Sequence, residues 1–379
     1  MASKRILFVA NTAWSMYNFR MGLMKTLLQK GFTVLVAAPH DHYFDKMEAV
    51  GIKMIALEKL QASSANPFKE WGFYNELAAV YKRYRPDLIF HYTIKPNIYG
   101  VLAAKRLNIP AVAVTTGLGY VFTNNNMVSL VGRWLYRYAL PKAETVWFLN
   151  REDLATFQAH IGLQPQKTLL LPGEGIDTQA FTRRSTIDFT ETVFLFTGRM
   201  LFEKGVEILV SSVKQLKARG YGFTCLLLGF LDVKNPSAVP RERLMQWQNE
   251  GLITYLGSTD DVKPYLEKAN CFVFPSYYSE GVPKSLLEAA CMEMPIITTD
   301  NVGCRDVVEH GRTGLIAEPK CVASLTEKME QFLNLSTDQK MQMGLAARKK
   351  VEVGFGEDQV IAIYLQQIRK VLKIDDVGV

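Results

Sequence analysis

Two glutamates, Glu280 and Glu288, stand eight residues apart in the segment SYYSEGVPKSLLEAACMEMP, residues 276–295. The apolar run Cys271–Phe274 before this segment predicts a buried strand, and Pro283 predicts a helix start because proline suits the first helical turn. A glycine-containing loop between a strand and a helix start favours an anion, since free backbone N–H groups and the helix dipole point towards it. The sequence therefore predicts an anion site that two carboxylates frame.

Two cations follow an earlier strand candidate, Val193–Thr197. Arg199 comes directly after Gly198, and Lys204 lies five residues further on, before a helical pattern over Val206–Arg219. A guanidinium and an ammonium group beside a helix start suit a diphosphate, because both donate charge-assisted hydrogen bonds. The spacing fits neither the P-loop nor the G-x-G-x-x-G fingerprint, which the sequence lacks. Alone these cations could be surface charges, but with the two glutamates downstream they indicate phosphate binding.

The composition is that of a globular protein large enough for two domains. The chain has 379 residues, of which 48% are hydrophobic and 21% charged. No stretch approaches the roughly 20 apolar residues that a membrane span needs, and Met1 is followed closely by a strand-like ILFVA, so we expect neither a membrane span nor a secretory leader. The five cysteines form no C-x-x-C pair and mostly lie in apolar runs, which predicts free, buried thiols in a cytosolic protein.

The positive charge of the chain is concentrated in its first half. Residues 1–180 contain 20 Lys or Arg against 12 Asp or Glu, a net charge of +8, whereas the remainder has a net charge of −1. A basic first half favours an anionic partner such as a membrane surface, a phosphorylated acceptor or a nucleic acid. A solubilising charged surface is the alternative. Because no nucleic-acid-binding motif occurs, we expect no nucleic-acid partner.

Short apolar runs alternate with longer helical patterns, which is typical of parallel α/β architecture. The first series of predicted strands comprises Arg5–Ala10, Val34–Ala38, Ile52–Leu57, Leu88–Tyr92, Ala111–Val114, Val146–Leu149 and Leu169–Leu171. The second comprises Val193–Thr197, Thr224–Leu228, Ile253–Leu256, Cys271–Phe274, Ile296–Thr299 and Gly314–Ile316. A polar linker lies between the series, so we expect a domain over residues 1–175, a second over 176–355 and a closing amphipathic helix within 356–379.

The motifs of the second half resemble those of a known enzyme family. The set E-G-x-P-x-x-x-x-E from Glu280 to Glu288, with G-R-x-x-x-x-K-G from Gly198 to Gly205, is similar to the nucleotide-sugar site of retaining GT-B glycosyltransferases, specifically glycosyltransferase family 4. The resemblance covers nearly the whole chain. It implies an α/β fold of the GT-B type, with two Rossmann-like parallel-sheet domains facing across a cleft and a last helix that crosses back onto the first domain.

The resemblance also implies roles for individual residues. Arg199, Lys204 and Glu280 would be catalytic: the cations would hold the leaving diphosphate, and the carboxylate would lie against the donor sugar. Glu288 would accept hydrogen bonds from the ribose hydroxyls, since a carboxylate offers two acceptors to a diol. The other donor-binding residues would be Gly198, Gly281, Val282, Pro283, Lys284, Ser285, Gly229 and Gly257. Contacts to the base, uracil by this resemblance, are expected from the loops at 229–232 and 256–258.

The first half departs from many family members. Its loop after the first strand lacks their Gly-Gly turn, and Thr116 stands where many have a histidine. The segments NTAWSMYNFR (11–20), HYTIKPNIYG (91–100) and TTGLGYVFT (115–123) resemble a subgroup, including N-acetylgalactosaminyltransferases, that extends undecaprenyl-diphosphate-linked sugars of bacterial surface glycans. By this resemblance the acceptor-binding residues would be Trp14, Tyr17, Arg20, Lys95, Thr116 and Gly117.

Three features of the first half leave alternatives open. Tyr17 and Phe19 could pack in the core instead of meeting the acceptor, and His91 could be a buried structural histidine. The segment MVSLVGRWLYRYALPK, residues 127–142, places apolar residues between Arg133, Arg137 and Lys142. Basic, aromatic-rich helices can lie in a membrane interface. A helix that packs on its own domain has the same pattern.

Nothing in the sequence indicates a metal site or a cofactor. The five histidines are scattered, and no Asp-x-Asp occurs that could hold a metal–diphosphate complex. The cations Arg199 and Lys204 would supply the positive charge that a metal otherwise brings. We therefore expect a metal-independent enzyme with no cofactor, in which the UDP-sugar is a substrate.

The combined expectation is a retaining hexosyltransferase that moves a sugar, expected to be N-acetylhexosamine, from a UDP-sugar to an undecaprenyl-diphosphate-linked saccharide. It would be cytoplasmic and peripheral on the inner face of the bacterial plasma membrane, with an anionic membrane surface as a partner, and would serve surface glycan or glycoprotein oligosaccharide assembly. The alternatives are a hydrolysing UDP-sugar epimerase of the GT-B fold, a transferase with a soluble acceptor, and a non-catalytic nucleotide-sugar-binding subunit.

Overall fold

The computed structural model of the chain describes residues 3–61, 66–231 and 235–374. The chain divides into two compact units, one of residues 1–175 with 357–379 and the other of residues 176–356. Each unit is built on a wholly parallel sheet with helices packed against it, the layered arrangement that alternating short apolar runs and helical patterns predict. The predicted fold class, α/β with two Rossmann-like parallel-sheet domains, is confirmed.

The described residues form thirteen strands, each at a position that the sequence predicts. They are β1 Arg5–Val9, β2 Thr33–Ala38, β3 Lys53–Ala56, β4 Leu88–Tyr92, β5 Ala111–Thr115, β6 Thr145–Phe148, β7 Thr168–Leu170, β8 Val193–Thr197, β9 Thr224–Leu228, β10 Thr254–Tyr255, β11 Cys271–Phe274, β12 Ile296–Thr299 and β13 Gly314–Ala317. Most of these strands are continuous apolar runs, because helices cover both faces of a parallel sheet.

The described part of the chain also contains fifteen α-helices, the last three of which follow the final strand. They are α1 Ala13–Gln29, α2 Phe44–Glu48, α3 Pro67–Tyr84, α4 Val101–Arg106, α5 Gly119–Thr123, α6 Met127–Ala139, α7 Arg151–Ile161, α8 Val206–Ala218, α9 Arg241–Asn249, α10 Lys263–Lys268, α11 Lys284–Cys291, α12 Cys304–Val307, α13 Val322–Leu333, α14 Thr337–Gly354 and α15 Glu357–Leu372. A single π-helical turn, Pro96–Gly100, precedes α4.

The first unit has a seven-stranded sheet in the order β3-β2-β1-β4-β5-β6-β7. One core, on one face, includes residues of α3, α4, α6 and α7, and a second core, on the other, includes residues of α1, α2 and α15. The last helix is held there by Tyr364, whose hydroxyl lies 2.9 Å from that of Tyr92 and whose ring contacts Phe90 and Trp147.

The second unit has a six-stranded sheet in the order β10-β9-β8-β11-β12-β13. The strand order reverses between β8 and β11, since β9 and β10 lie on one side of β8 while β12 and β13 lie beyond β11. In open parallel sheets a ligand binds at the carboxyl ends of the strands at such a point. A ligand site is therefore expected at the loops that follow Thr197 and Phe274.

The state of the cysteines and the character of the helices match what the composition predicts. Cys225, Cys271, Cys291 and Cys304 are free and buried, as expected, and Cys321 is free and partly exposed. Within the described ranges, no helix has both the length and the apolar character that crossing a bilayer requires.

Candidate functional site

The loops after β8 and β11 are joined through their backbones. The carbonyl oxygen of Glu203, in a 3₁₀ turn over Phe202–Lys204, accepts hydrogen bonds from the amides of Tyr277 at 2.9 Å and Tyr278 at 3.1 Å. Because β8 and β11 are neighbours in the sheet, these loops leave the same edge side by side. The structure thus brings together two segments that are more than 70 residues apart in sequence.

Lys204 and Glu280 meet where the two loops touch. The Lys204 ammonium forms a salt bridge with the Glu280 carboxylate, and the Ser276 hydroxyl donates a 2.9 Å hydrogen bond to the same carboxylate oxygen. The ammonium also lies 5.3 Å from the ring centre of Tyr278 and 5.4 Å from that of Phe274. Two of the three predicted catalytic side chains are therefore in contact, mostly buried, and fixed by neighbours on both loops.

Arg199, the third predicted catalytic residue, follows Gly198 at the end of β8. Burial and the negative charge of Glu280 raise the pKa of the Tyr278 hydroxyl, whereas the positive charge of Arg199 lowers it. Arg199 and Glu280 thus both act electrostatically on Tyr278. Lys204 and Glu280 are thus in contact where the strand order reverses, and the exposed Arg199 lies at the end of the adjoining strand β8.

Three predicted donor-binding glycines lie at the same edge of the second sheet. A Cβ atom on Gly229 would lie 1.8 Å from the carbonyl oxygen of Gly198, and the Gly229 amide donates a 2.7 Å hydrogen bond to the carbonyl of Gly257. The loops after β8, β9 and β10 therefore approach one another through their backbones, which only glycine permits at this separation. Of the predicted base-contacting loop 229–232, residue 232 lies outside the described residues.

The loop from Gly281 leads directly into helix α11. Pro283, the predicted first residue of the helix, is instead its N-cap, so the helix starts one position later than predicted, and no described side chain caps the first turn. The predicted residues Lys284 and Ser285 are the first two of the helix, while Val282 is buried against the core. Amide groups of an uncapped first turn are available to an anion.

Glu288 lies on α11, just over one turn after this start. Its side chain is mostly buried, and its ion-pair partner is Lys284, with 4.0 Å between the ammonium and a carboxylate oxygen. Burial raises the pKa of Glu288 to about 7, and the positive charge of Lys284 opposes this shift. A carboxylate held this close to its titration point is stabilised in its charged form when further hydrogen-bond donors surround it.

In the first unit, the loop after β1 presents Trp14 and Tyr17 on the first turns of α1. The Thr12 side chain caps this helix by accepting a 3.2 Å hydrogen bond from the Ser15 amide. The half-exposed Trp14 packs edge-on against Phe19, and the Tyr17 ring lies 5.1 Å from that of Tyr43. Both predicted acceptor residues are therefore partly exposed at the surface of their unit. The Tyr17 side chain also packs against the core.

Arg20, also predicted to bind the acceptor, lies inside the first unit. Its guanidinium forms a salt bridge with Glu174 and lies 3.9 Å from the centre of the Tyr92 ring. Only 3% of the residue is exposed. Arg20 anchors the segment before residue 175 to the first sheet, because a buried guanidinium needs a buried partner. Its contact with an acceptor stays a prediction.

Lys95, Thr116 and Gly117 follow β4 and β5 at the carboxyl edge of the first sheet. Lys95 forms a 2.6 Å salt bridge with Glu70, and Thr116 and Gly117 form the turn between β5 and α5. For His91 the structure favours the structural alternative. The residue is fully buried, its Nε2 lies 2.8 Å from the Tyr81 hydroxyl, and burial lowers its pKa to about 3.

Comparison with known proteins identifies the family. The family model described as "Glycosyl transferase 4-like" matches residues 5–150, and the one described as "Glycosyl transferases group 1" matches residues 191–335. Over 97% of the chain and 99% of the relative, the sequence is 31% identical to the N,N'-diacetylbacillosaminyl-diphospho-undecaprenol alpha-1,3-N-acetylgalactosaminyltransferase of Campylobacter jejuni. The chain belongs to glycosyltransferase family 4.

Another relative of this glycosyltransferase, and solved structures of other proteins that are similar to it, agree with this assignment. It is 32% identical over 42% of its length to the capsular polysaccharide biosynthesis glycosyltransferase CapM of Staphylococcus aureus, covering 41% of that protein. A glycosyltransferase from Rickettsia africae superposes with a TM-score of 0.82 at 19% identity, covering 99% of this chain and 100% of the other. Anabaena HepE, in complex with UDP and glucose, gives 0.80 at 16% identity, covering 97% and 100%. The GT-B fold is thereby confirmed.

The sequence did not point to several residues that shape the site of the glycosyltransferase. Thr299 and Asn301, at the end of β12, donate hydrogen bonds to the carbonyl oxygens of Ser276 and Tyr278. A Cβ atom on Gly303 would lie 2.1 Å from the carbonyl oxygen of Gly281. The loop after β12 therefore supports the Glu280 loop from behind. The sequence signal for this support was Gly303, a glycine after β12. Its role can be inferred only when the pairing of β11 with β12 is known.

Glu288 provides a pH-dependence prediction. Its raised pKa of about 7 means that the side chain is mostly neutral below this pH, whereas hydrogen-bond donors on a ligand favour the carboxylate. For a UDP-sugar, the donor that is proposed below, the dissociation constant should therefore fall by up to about tenfold between about pH 6 and about pH 8, where a sugar-esterified diphosphate stays ionised. Isothermal titration calorimetry would measure this change.

Glu288→Gln should remove most of this pH dependence and weaken binding at the alkaline end. Glu327→Gln, at an exposed glutamate on α13, is the matched control and should keep the profile. An unchanged pH profile in Glu288→Gln would show that the Glu288 side chain does not contact the ligand.

Proposed function

We propose that the chain is a retaining glycosyltransferase that moves an N-acetylhexosamine from a UDP-sugar to an undecaprenyl-diphosphate-linked saccharide. The observation that carries this proposal is the contact between Lys204 and Glu280 where the strand order of the second sheet reverses, with Arg199 at the end of the adjoining strand β8. The name of the Campylobacter jejuni relative, which aligns along nearly the full length of both chains, supports the N-acetylgalactosamine donor and the lipid-linked acceptor.

The donor would bind through its diphosphate. Arg199 and Lys204 would neutralise the phosphates, the amides at the start of α11 would add donors, and Glu288 would accept from the ribose. In the structure the Lys204 ammonium is paired with Glu280, so the pair must loosen or share its charge when the diphosphate enters. The solved complex of Anabaena HepE with UDP supports uridine as the nucleoside.

The reaction would be a substitution on one face of the sugar. The bond between the anomeric carbon and the diphosphate oxygen breaks, the acceptor hydroxyl oxygen bonds to the same face, and the departing phosphate oxygen takes the hydroxyl proton. Glu280 already accepts from Lys204 and Ser276, which makes it a poor nucleophile for a double displacement. The two cations stabilise the negative charge that grows on the leaving diphosphate.

The reaction is proposed to need no metal ion. In the described part of the chain, no three His, Cys, Asp or Glu side chains group together in a way that could hold one. A saturating concentration of EDTA should leave the rate of transfer within about twofold, because Arg199 and Lys204 would supply the positive charge at the diphosphate. Loss of activity that manganese or magnesium restores would mean that this charge assignment is wrong.

The deciding experiment is a screen of UDP- and GDP-sugars against a membrane lipid extract, with the products identified by mass spectrometry. Transfer of an N-acetylhexosamine to a lipid-linked saccharide, with the anomeric configuration kept, is the expected result. Transfer from GDP-sugars alone would overturn the donor. Release of free sugar and UDP at the same rate with and without lipid would favour the hydrolysing epimerase instead.

A further inference from the structure

Helix α6 carries an unusual amount of exposed apolar surface. Residues at the spacing of one helical face, with their flanking neighbours, are between 48% and 73% exposed. We call these residues the α6 stripe: Met127, Val128, Leu130, Val131, Trp134 and Tyr138. Single exposed apolar residues are ordinary, but a contiguous exposed stripe indicates a surface that is covered in use.

The opposite face of α6 packs firmly on the first unit, so the exposure is not that of a loose helix. Tyr136 and Ala139 are buried in the core, and a Cβ atom on Gly132 would lie 2.9 Å from the side chain of Val121. Arg133 donates hydrogen bonds to the carbonyl oxygens of Val121 at 2.9 Å and Asn124 at 2.7 Å. The helix is therefore fixed with its apolar stripe outwards.

The charges near the stripe in sequence are all positive. Between Asp87 and Glu144 the sequence contains six Lys or Arg and no Asp or Glu. Arg137 is exposed on α6 itself, and the Lys142 ammonium lies 3.4 Å from the centre of the Tyr138 ring. An apolar stripe bordered by cations and by Trp and Tyr matches the boundary between acyl chains and anionic headgroups.

We propose that the α6 stripe docks the protein on the surface of an anionic lipid bilayer. The helix would lie in the plane of the interface, with the stripe among the upper acyl carbons and Arg137 and Lys142 at the headgroup phosphates. A helix of 13 residues is about 20 Å long, too short to cross the roughly 30 Å hydrocarbon layer. The attachment is therefore peripheral.

The stripe is continuous with the loop proposed to meet the acceptor. Helix α5 begins two residues after Gly117, and Arg133 holds α5 against α6. Docking would thus place the Thr116–Gly117 turn near the membrane surface, where the diphosphate of a polyprenyl-linked acceptor lies. This second step rests on the proposed function, whereas the docking itself does not.

The test compares two double variants of the full chain. Leu130→Glu with Val131→Glu places two charges in the stripe, and Leu345→Glu with Val353→Glu places them at exposed residues of α14 in the second unit. Co-sedimentation uses phosphatidylcholine vesicles with and without phosphatidylglycerol. The parent and the α14 variant should bind the anionic vesicles, and the stripe variant should bind at least about tenfold more weakly.

A single Arg137→Glu variant should weaken vesicle binding by about fivefold or more, and high salt should have the same direction of effect. Equal sedimentation of the parent and the stripe variant would overturn the proposal. So would a parent dimer that the stripe variant converts to a monomer without any vesicle binding, because the stripe would then be an interface between two copies.

Activity separates docking from the proposed function. With a polyprenyl-diphosphate acceptor in vesicles the stripe variant should lose at least about tenfold in turnover, and with a short-chain, water-soluble acceptor it should match the parent. Both variants should bind UDP as the parent does. Failure of the parent to bind UDP or to transfer sugar would count against the proposed function while leaving the vesicle result intact.

Discussion

Replacing Arg199 or Lys204 by alanine is expected to lower kcat for sugar transfer by about 100-fold or more. Removal of one positioned donor to the charge that develops in a transition state typically costs about 3 kcal/mol. Lys204 also pairs with Glu280, so its loss removes the cation that balances a mostly buried carboxylate. Steady-state kinetics with the purified UDP-sugar and acceptor would measure the effect.

Lys214→Ala is the matched control, since Lys214 is an exposed lysine on the neighbouring helix α8. It should leave kcat unchanged. Circular dichroism should show that all three variants fold, because Arg199 and Lys204 lie in loops at the sheet edge and not in the core. Near-normal turnover of Arg199→Ala or Lys204→Ala would remove that residue from the chemistry.

The strands could be predicted from the sequence because parallel strands that are covered on both faces must be apolar throughout. The run CFVF at 271–274 became β11 with the predicted bounds. The run at 253–256 shrank to the two residues of β10, an edge strand with one neighbour in its sheet. A run of apolar residues indicates where a strand lies, whereas the number of residues that pair depends on a neighbouring strand that is distant in sequence.

The site residues were predictable as types but not as a geometry. Spacing placed Arg199 and Lys204 after one strand and Glu280 after another, and the pairing of β8 with β11 brings them together. The support from Gly303 and the close approach of Gly229 to Gly198 depend on which strands are neighbours. No local pattern encodes such contacts, because their cause is the order of strands in the sheet.

In the first unit, too, a contact between residues that are distant in sequence could not be predicted from a local pattern. Arg20 follows a predicted strand in a polar-looking segment, yet it lies inside the unit because Glu174, more than 150 residues away, supplies its counter-charge. For residues 127–142 the apolar pattern could not separate a packed helix from a membrane-facing one. The structure shows that α6 packs on its unit through Tyr136 and Ala139 and exposes the α6 stripe, and the docking proposal rests on that exposure.

Gly205→Ala is expected to reduce both stability and turnover, by about 2–5 kcal/mol in the free energy of unfolding and by about 100-fold in kcat. Gly205 has φ +79°, and a Cβ atom on it would lie 2.1 Å from the carbonyl oxygen of Pro275. The added methyl group would push the loop after β8 away from the loop after β11. Since Lys204 precedes Gly205, the displacement would move the ammonium group that is proposed to hold the diphosphate.

Gly220→Ala separates the clash from the backbone strain. Gly220 has φ +88°, but a Cβ atom on it would have no neighbouring atom within 4 Å. Alanine there should cost only the left-handed strain of about 1–2 kcal/mol and leave kcat intact. Urea unfolding and steady-state kinetics would be measured on both variants. If the two variants showed equal stability and equal turnover, the contact between Gly205 and Pro275 would have no part in placing Lys204.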